Sequence, residues 1–284
     1  MEQRTQPRTG IPAAELGSRR ERLLEHVRHE ELNGYVLFDQ QYIQYFTSFG
    51  FLSTERPVVF AQSAGGDMVV LVPEFEVERV RAETAFERVE SYPEYPGIEH
   101  PMRILGTVLA DLGIKGSIGA DQAGYPGILG YQGPELTEVT GSTVAPLAAT
   151  IESMMVRKSE SELALIRESG RWCAHAHRLL QRFTRPGVTE TEASLRAGHE
   201  ATIAMLEALG DTYGGQQASS DGASAGYRGD HTPVEPGMVF TIEPGLYDAT
   251  IGGFRHSDTV AVTPDGIDIL TDYPSDIESL TIPV

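Results

Sequence analysis

The sequence predicts a two-domain protein, α/β in its first half and α+β in its second, and three observations carry that prediction. Helical and strand-like segments alternate from Ser18 to about Thr150, the pattern of helices covering a mixed sheet. Two long amphipathic segments with capping-box starts follow, at Ser159/Glu162 and Thr189/Glu192. The chain then closes on short β-rich runs separated by glycine turns. A chain of 284 residues with 40% hydrophobic and 22% charged residues has the length for two cores. The boundaries expected are a tail over 1–18, a first domain over 19–150 and a second over 151–284.

Each element has a local reason. SRRERLLEHVRHEEL carries apolar residues at 23, 24, 27 and 32, a helical stripe that Asn33-Gly34 ends before the strand-like YVLF. VVFA and MVVLV flank Ala64-Gly65-Gly66-Asp67 and read as a hairpin. EFEVERVRAETAF and HPMRILGTVLADLGI read as helices, with ERVESY and GSIGAD as the strands behind them. In the second half, Leu163, Ile166, Trp172, Ala176 and Leu179 form one helical stripe, which Arg185-Pro186-Gly187 breaks. A second helix runs from Thr189 to Gly210 through Leu195, Ile203 and Leu206. The next stretch, DTYGGQQASSDGASAGYRGDHTP, is crowded with Gly, Ser and Asp and reads as loop. MVFTIEPGLY, GFRHSDTVAVT and IDIL then predict one small antiparallel meander.

Charge narrows the function classes. Lys and Arg number 22 against 41 Asp and Glu, a formal charge of −19, which excludes simple electrostatic binding to nucleic acid or anionic lipid. Lys115 and Lys158 are the only lysines. Acidic excess with lysine avoidance predicts a protein adapted to concentrated salt, where carboxylate repulsion is screened. No apolar run approaches the roughly 18 residues that span a bilayer, and the start of the chain has no signal-peptide stretch, so a soluble cytoplasmic protein is expected. Cys173 is the only cysteine, which rules out an intramolecular disulfide and a cysteine-rich metal site.

Three stretches together resemble the creatinase/Xaa-Pro aminopeptidase family, the pita-bread metallopeptidases of M24 type. YIQYFTSFGFLSTE leading to Arg56-Pro57 is similar to an aromatic-rich strand of the family's N-domain. MMVRKSESELALIRESGRWCAHAH resembles the linker and first helix of its catalytic domain. VEPGMVFTIEPGLY with GGFRHSDTVAVTPDG resembles the last hairpin of that domain and is the most specific of the three. The resemblance implies a creatinase-type mixed-sheet N-domain, a truncated pita-bread domain of two helices and a small meander, and a homodimer. It also implies a divalent metal pair (Mn, Co or Zn) held by two Asp, one His and two Glu. The reaction it implies is C–N hydrolysis of a peptide or small amide-type substrate.

Carried over residue by residue, the resemblance makes Glu243 in FTIEPG a metal ligand. The second glutamate of the family's Arg-x-Glu-Asp segment falls on Ser257 of Arg255-His256-Ser257-Asp258. A neutral hydroxyl brings none of the charge of a bridging carboxylate. Alternation along a strand puts Arg255 and Ser257 on one face and His256 and Asp258 on the other. Arg255 is a candidate anion-positioning residue and His231 a candidate substrate-side histidine. The block that carries the family's two Asp and its His-Gly-x-Gly segment has no counterpart here. Asp211 and Asp221 sit among glycines and serines and read as loop residues, so an internal deletion near Gly229/Asp230 is expected. Three readings follow: an M24-like hydrolase with impaired or absent activity, a non-catalytic dimerising remnant, or a full-length M24 peptidase shortened by an error in assembling its gene.

Overall fold

The computed structural model describes residues 10–93, 99–125, 133–209, 233–243, 245–248 and 252–281. The chain divides into two compact units, one spanning Ile11–Met154 and the other Met155–Val284 together with the first ten residues.

The first unit opens with α1 (Ala13–His29). This helix begins five residues before Ser18, because Pro12 supplies an extended N-cap position and Ala13-Ala14-Glu15-Leu16 are strong helix formers. β1 (Gly34–Leu37), β2 (Val59–Ser63), β3 (Met68–Pro73), β4 (Val89–Tyr92), β5 (Ser117–Ala120) and β6 (Thr143–Pro146) form one mixed sheet in the order β4-β3-β2-β1-β5-β6. β1 pairs antiparallel to β2 but parallel to β5, and β5 runs parallel to β6. Between the strands lie α2 (Gln40–Thr47), a 3-10 turn at Glu74–Glu76, α3 (Val77–Glu83), α4 (Pro101–Asp111) and α5 (Leu136–Thr140), with α6 (Ala148–Met155) after β6.

Strand alternation sorts this core. Val36, Val59, Ala61, Val69, Leu71 and Ile118 pack with Leu105 and Leu109 of α4 in one buried cluster. Tyr35 and Phe60, displaced by one residue, stack edge-on at 5.9 Å, and the Tyr35 hydroxyl donates to Gln62 Oε1 at 2.7 Å. The aromatic run after Asp39, expected as a strand, is the helix α2. The Asp39 carboxylate caps it, accepting from Gln41 N at 2.8 Å and Tyr42 N at 3.2 Å. A cap of this kind contributes about 1 kcal/mol, and Ile43 and Phe46, one turn apart, are both fully buried.

The second unit carries α7 (Glu160–Phe183) and α8 (Glu190–Leu209). The Ser159/Glu162 capping box is formed reciprocally, Glu162 N to Ser159 Oγ at 3.1 Å and Ser159 N to Glu162 Oε2 at 2.9 Å. The expected single meander is two sheets. β7 (Val239–Ile242), β10 (Asp258–Thr263) and β11 (Gly266–Ile269) form an antiparallel sheet in the order β11-β10-β7, while β8 (Gly245–Asp248) and β9 (Gly252–Arg255) pair with each other. The two predicted long strands break after Ile242 and at His256-Ser257. A single turn of helix, α9 (Ile277–Leu280), follows.

α7 covers one face of the three-stranded sheet, Leu163 packing with Val239, Ala261 and Leu270. The helix approaches closely at Gly170, where a Cβ would stand 2.6 Å from the Leu270 carbonyl oxygen. The opposite face is lined in register by Phe240, Ile242, Val260, Val262, Ile267 and Ile269. Ile242, Ile267 and Ile269 are 46%, 58% and 57% exposed while Val260 is buried, so that apolar face is bare at its isoleucines. α8 rests on α7 through small residues, Ala193 and Ala197 against Leu179 and Phe183.

Candidate functional site

The site grows from the register of β7 and β10. Asp258 lies opposite Ile242, so the residues just outside the ladder, Glu243 and Ser257, also come together. Ser257 Oγ donates to Glu243 Oε1 at 3.4 Å, and Glu243 is exposed. His256 turns the other way and shares the side of Asp258, its Nε2 lying 2.7 Å from Asp258 Oδ2. The expected alternation of His256 and Ser257 therefore survives the break between β9 and β10. The His256 hydrogen bond, assisted by Thr271 Oγ1 at 2.8 Å from Asp258 Oδ1, holds the Asp258 carboxyl below its usual range.

Behind Ser257 lies a cleft of about 640 Å³ bounded by α7 and the segment after β11. Cys173, His177, Leu180, His256, Tyr273 and Pro274 line it. The His177 ring stacks on Tyr273 with centroids 5.1 Å apart, and the Tyr273 hydroxyl donates to the Ser257 carbonyl oxygen. The size is that of a small-molecule pocket. His177 and Tyr273 escape sequence reading because nothing in the α7 stripe or in the run after Leu270 marks them as neighbours.

A dinuclear cation centre needs several anionic oxygen or imidazole donors converging within ligand distance. Glu243 supplies one carboxylate and Ser257 a neutral hydroxyl. Among the described residues, no three or more His, Cys, Asp or Glu side chains stand close enough to hold an ion. The described residues do not fit a metal pair. Of the other residues singled out in the sequence, His231, Asp211 and Asp221 lie outside the described residues. Arg255 sits on β9 opposite Gly245, and its side chain also lies outside them.

The first unit contributes a carboxylate that the sequence did not flag. Asp121, at the end of β5, accepts from Phe38 N at 3.0 Å and Asp39 N at 2.7 Å, joining the carboxyl ends of the parallel strands β1 and β5. Burial pushes its pKa up to about 6 against the pull of those backbone donors. Its signal in the sequence was position alone, an Asp closing the apolar strand SIGA.

Comparison with known proteins agrees with this architecture. The family model described as creatinase/prolidase N-terminal domain matches residues 19–164, and that of metallopeptidase family M24 matches residues 209–264. The Xaa-Pro dipeptidase of Pyrococcus furiosus is 50% identical over 42 residues, 15% of this chain and 12% of that protein. The agropine synthesis cyclase of Rhizobium rhizogenes is 35% identical over 98 residues, 31% of this chain and 23% of its own length. The matched stretches thus span less than a quarter of these relatives. The solved Xaa-Pro dipeptidase of Bacillus anthracis superposes with a TM-score of 0.69 over 92% of this chain and 99% of that one. At 16% identity this likeness is one of fold.

Proposed function

The chain belongs to the creatinase/prolidase N-terminal domain family and carries a shortened M24 segment behind that domain, and on this basis we propose that it is a relative of the Xaa-Pro dipeptidases whose hydrolytic activity is impaired or lost. The observation that supports this reading is the Ser257–Glu243 pair. Where two carboxylates share two dications, this chain offers one carboxylate and a hydroxyl 3.4 Å away. The attraction that fastens a cation scales with the charge of its ligands, so a divalent ion of Mn, Co or Zn type is held weakly here. In this proposal Glu243 is the remaining ligand, Arg255 positions an anionic substrate group, and His231 stands on the substrate side. The substrate class is a peptide or small amide.

The test is hydrolysis of Xaa-Pro dipeptides in molar salt with added Mn²⁺, Co²⁺ or Zn²⁺. Turnover at a rate typical of enzymes, together with stoichiometric metal, would overturn the reading. The acidic charge of −19 and the two lysines against twenty arginines support the reading of a protein that works in a salt-rich cytoplasm. An internal deletion near residues 229–230 accounts for the short M24 segment, and the DNA across codons 225–235 tests it directly.

A second reading is a non-catalytic, self-associating remnant. What favours it is unfilled apolar surface: the bare face of the three-stranded sheet and the outward side of α8, where Leu195 is 69% exposed. Surface of this kind marks interfaces.

A further inference from the structure

The cleft between α7 and the segment after β11 departs from the rest of the chain in its charge. The sequence carries 41 Asp and Glu against 22 Lys and Arg, yet among the described residues no carboxylate lines this cavity of about 640 Å³. Its fixed charge is the Arg178 guanidinium, with the His177 imidazole on the same wall. The carboxylate behind His256 is already taken up: Asp258 meets His256 Nε2 at 2.7 Å and accepts from Thr271 Oγ1 at 2.8 Å. The carbonyls at the end of α7, which would repel an anion, are covered as well. Leu180 O accepts from Thr184 Oγ1 at 2.8 Å, and Arg185 Nη1 donates to Gln181 O and Thr184 O at 2.8 and 2.6 Å.

We propose that this cleft binds a small organic carboxylate with a flat apolar body, its charged end on Arg178 and His177 and its body against Leu180, Tyr273 and Pro274. The apolar wall is formed before a ligand arrives. Tyr273 is anchored by its hydroxyl to the Ser257 carbonyl oxygen, and its ring stacks on His177 at 5.1 Å with the two planes 16° apart, so little ordering is required on binding. Arg178 donates to the Asp272 carbonyl oxygen at 2.8 Å, and the Asp272 carboxylate stands 3.7 Å from it. A guanidinium has more donors than these contacts use. The Asp272 side chain is 98% exposed, so its pull on the arginine is screened by water and a carboxylate seated in the cleft competes with it. Charge-assisted pairing of arginine with carboxylate fixes the orientation of the ligand. Glu243 does not line the cleft, so the inference goes beyond the hydrolase reading and is tested without metal or turnover.

Cys173 is the only cysteine, is exposed and lines the same cavity, so the rate of its alkylation by iodoacetamide reports occupancy. Benzoate, benzamide and benzamidine share one shape and differ in charge. In molar KCl, millimolar benzoate is expected to slow the alkylation several-fold, while the neutral and cationic probes leave it unchanged. Arg178→Gln should raise the benzoate concentration for half-protection about tenfold or more. Asp272→Asn, which removes the competing carboxylate, should lower it about twofold or more. Both side chains lie at the surface, 47% and 98% exposed, so both variants keep the fold. Absence of protection by benzoate, or equal protection by benzamide or benzamidine, overturns the proposal. Protection that survives Arg178→Gln, or that fails to improve in Asp272→Asn, overturns it too.

Discussion

Ser257 Oγ reaches Glu243 Oε1 at 3.4 Å across the break that separates β7 and β10 from the β8–β9 hairpin. A hydroxyl thus answers the carboxylate where a second carboxylate would raise cation affinity, and the pair can be altered one atom group at a time.

Ser257→Glu is expected to tighten Mn²⁺ binding about tenfold or more, since each added anionic ligand raises the field on the ion. Titration calorimetry measures it. The gain should vanish when Glu243→Gln is added, because two carboxylates act on one ion. Unchanged affinity in Ser257→Glu would mean that Ser257 and Glu243 do not share a ligand position.

Asp121 gives the first unit a pH dependence of definite sign. A carboxyl whose folded pKa of about 6 lies above its unfolded value binds its proton more tightly when folded. Its contribution is full below about pH 4 and is lost as pH rises through about 6, a swing on the order of 2–3 kcal/mol. Asp121→Asn should flatten that part of the stability profile, as urea titrations between pH 4 and 7 would record. An unaltered slope would show that the buried carboxyl is not responsible.

Gly170→Ala opposes two effects of known size. Alanine gains about 1 kcal/mol of helix propensity, but its Cβ would stand 2.6 Å from the Leu270 carbonyl oxygen, a backbone atom that cannot swing aside. The clash wins, and the second unit should lose about 1–3 kcal/mol. Calorimetry should show the loss in one transition only, with the unit built on the six-stranded sheet unmoved.

Salt should stabilise both units. With −19 charges on 284 residues, raising ionic strength from about 0.1 M to 1 M shortens the screening length from roughly 10 Å to 3 Å. An increase in Tm of roughly 5 °C or more, equivalent to a few kcal/mol for a chain of this size, is expected in KCl. A flat response would remove the salt-adaptation reading.

Much of this fold was legible because local chemistry and tertiary structure agree. The Ser159/Glu162 box, the Ala64–Asp67 hairpin and the α4 stripe each sit where the sequence puts them. At α2 the strand-like propensity of Tyr42, Tyr45 and Phe46 points to a strand, and the Asp39 cap decides otherwise. Apolar alternation runs across Glu243-Pro244 and His256-Ser257 without a compositional break, so composition alone does not divide the meander into two sheets. At the site, the Ser257–Glu243 approach follows from register. The stack of His177 on Tyr273 joins residues 96 positions apart, which no local pattern encodes.

The sheet face that leaves Ile242, Ile267 and Ile269 exposed has a consequence for the protein's life in a cell. Chaperones and proteases triage whatever displays greasy strands, and to them this half of the molecule looks unfinished. How long each copy survives is then governed less by its global unfolding equilibrium than by how quickly that face is hidden after synthesis.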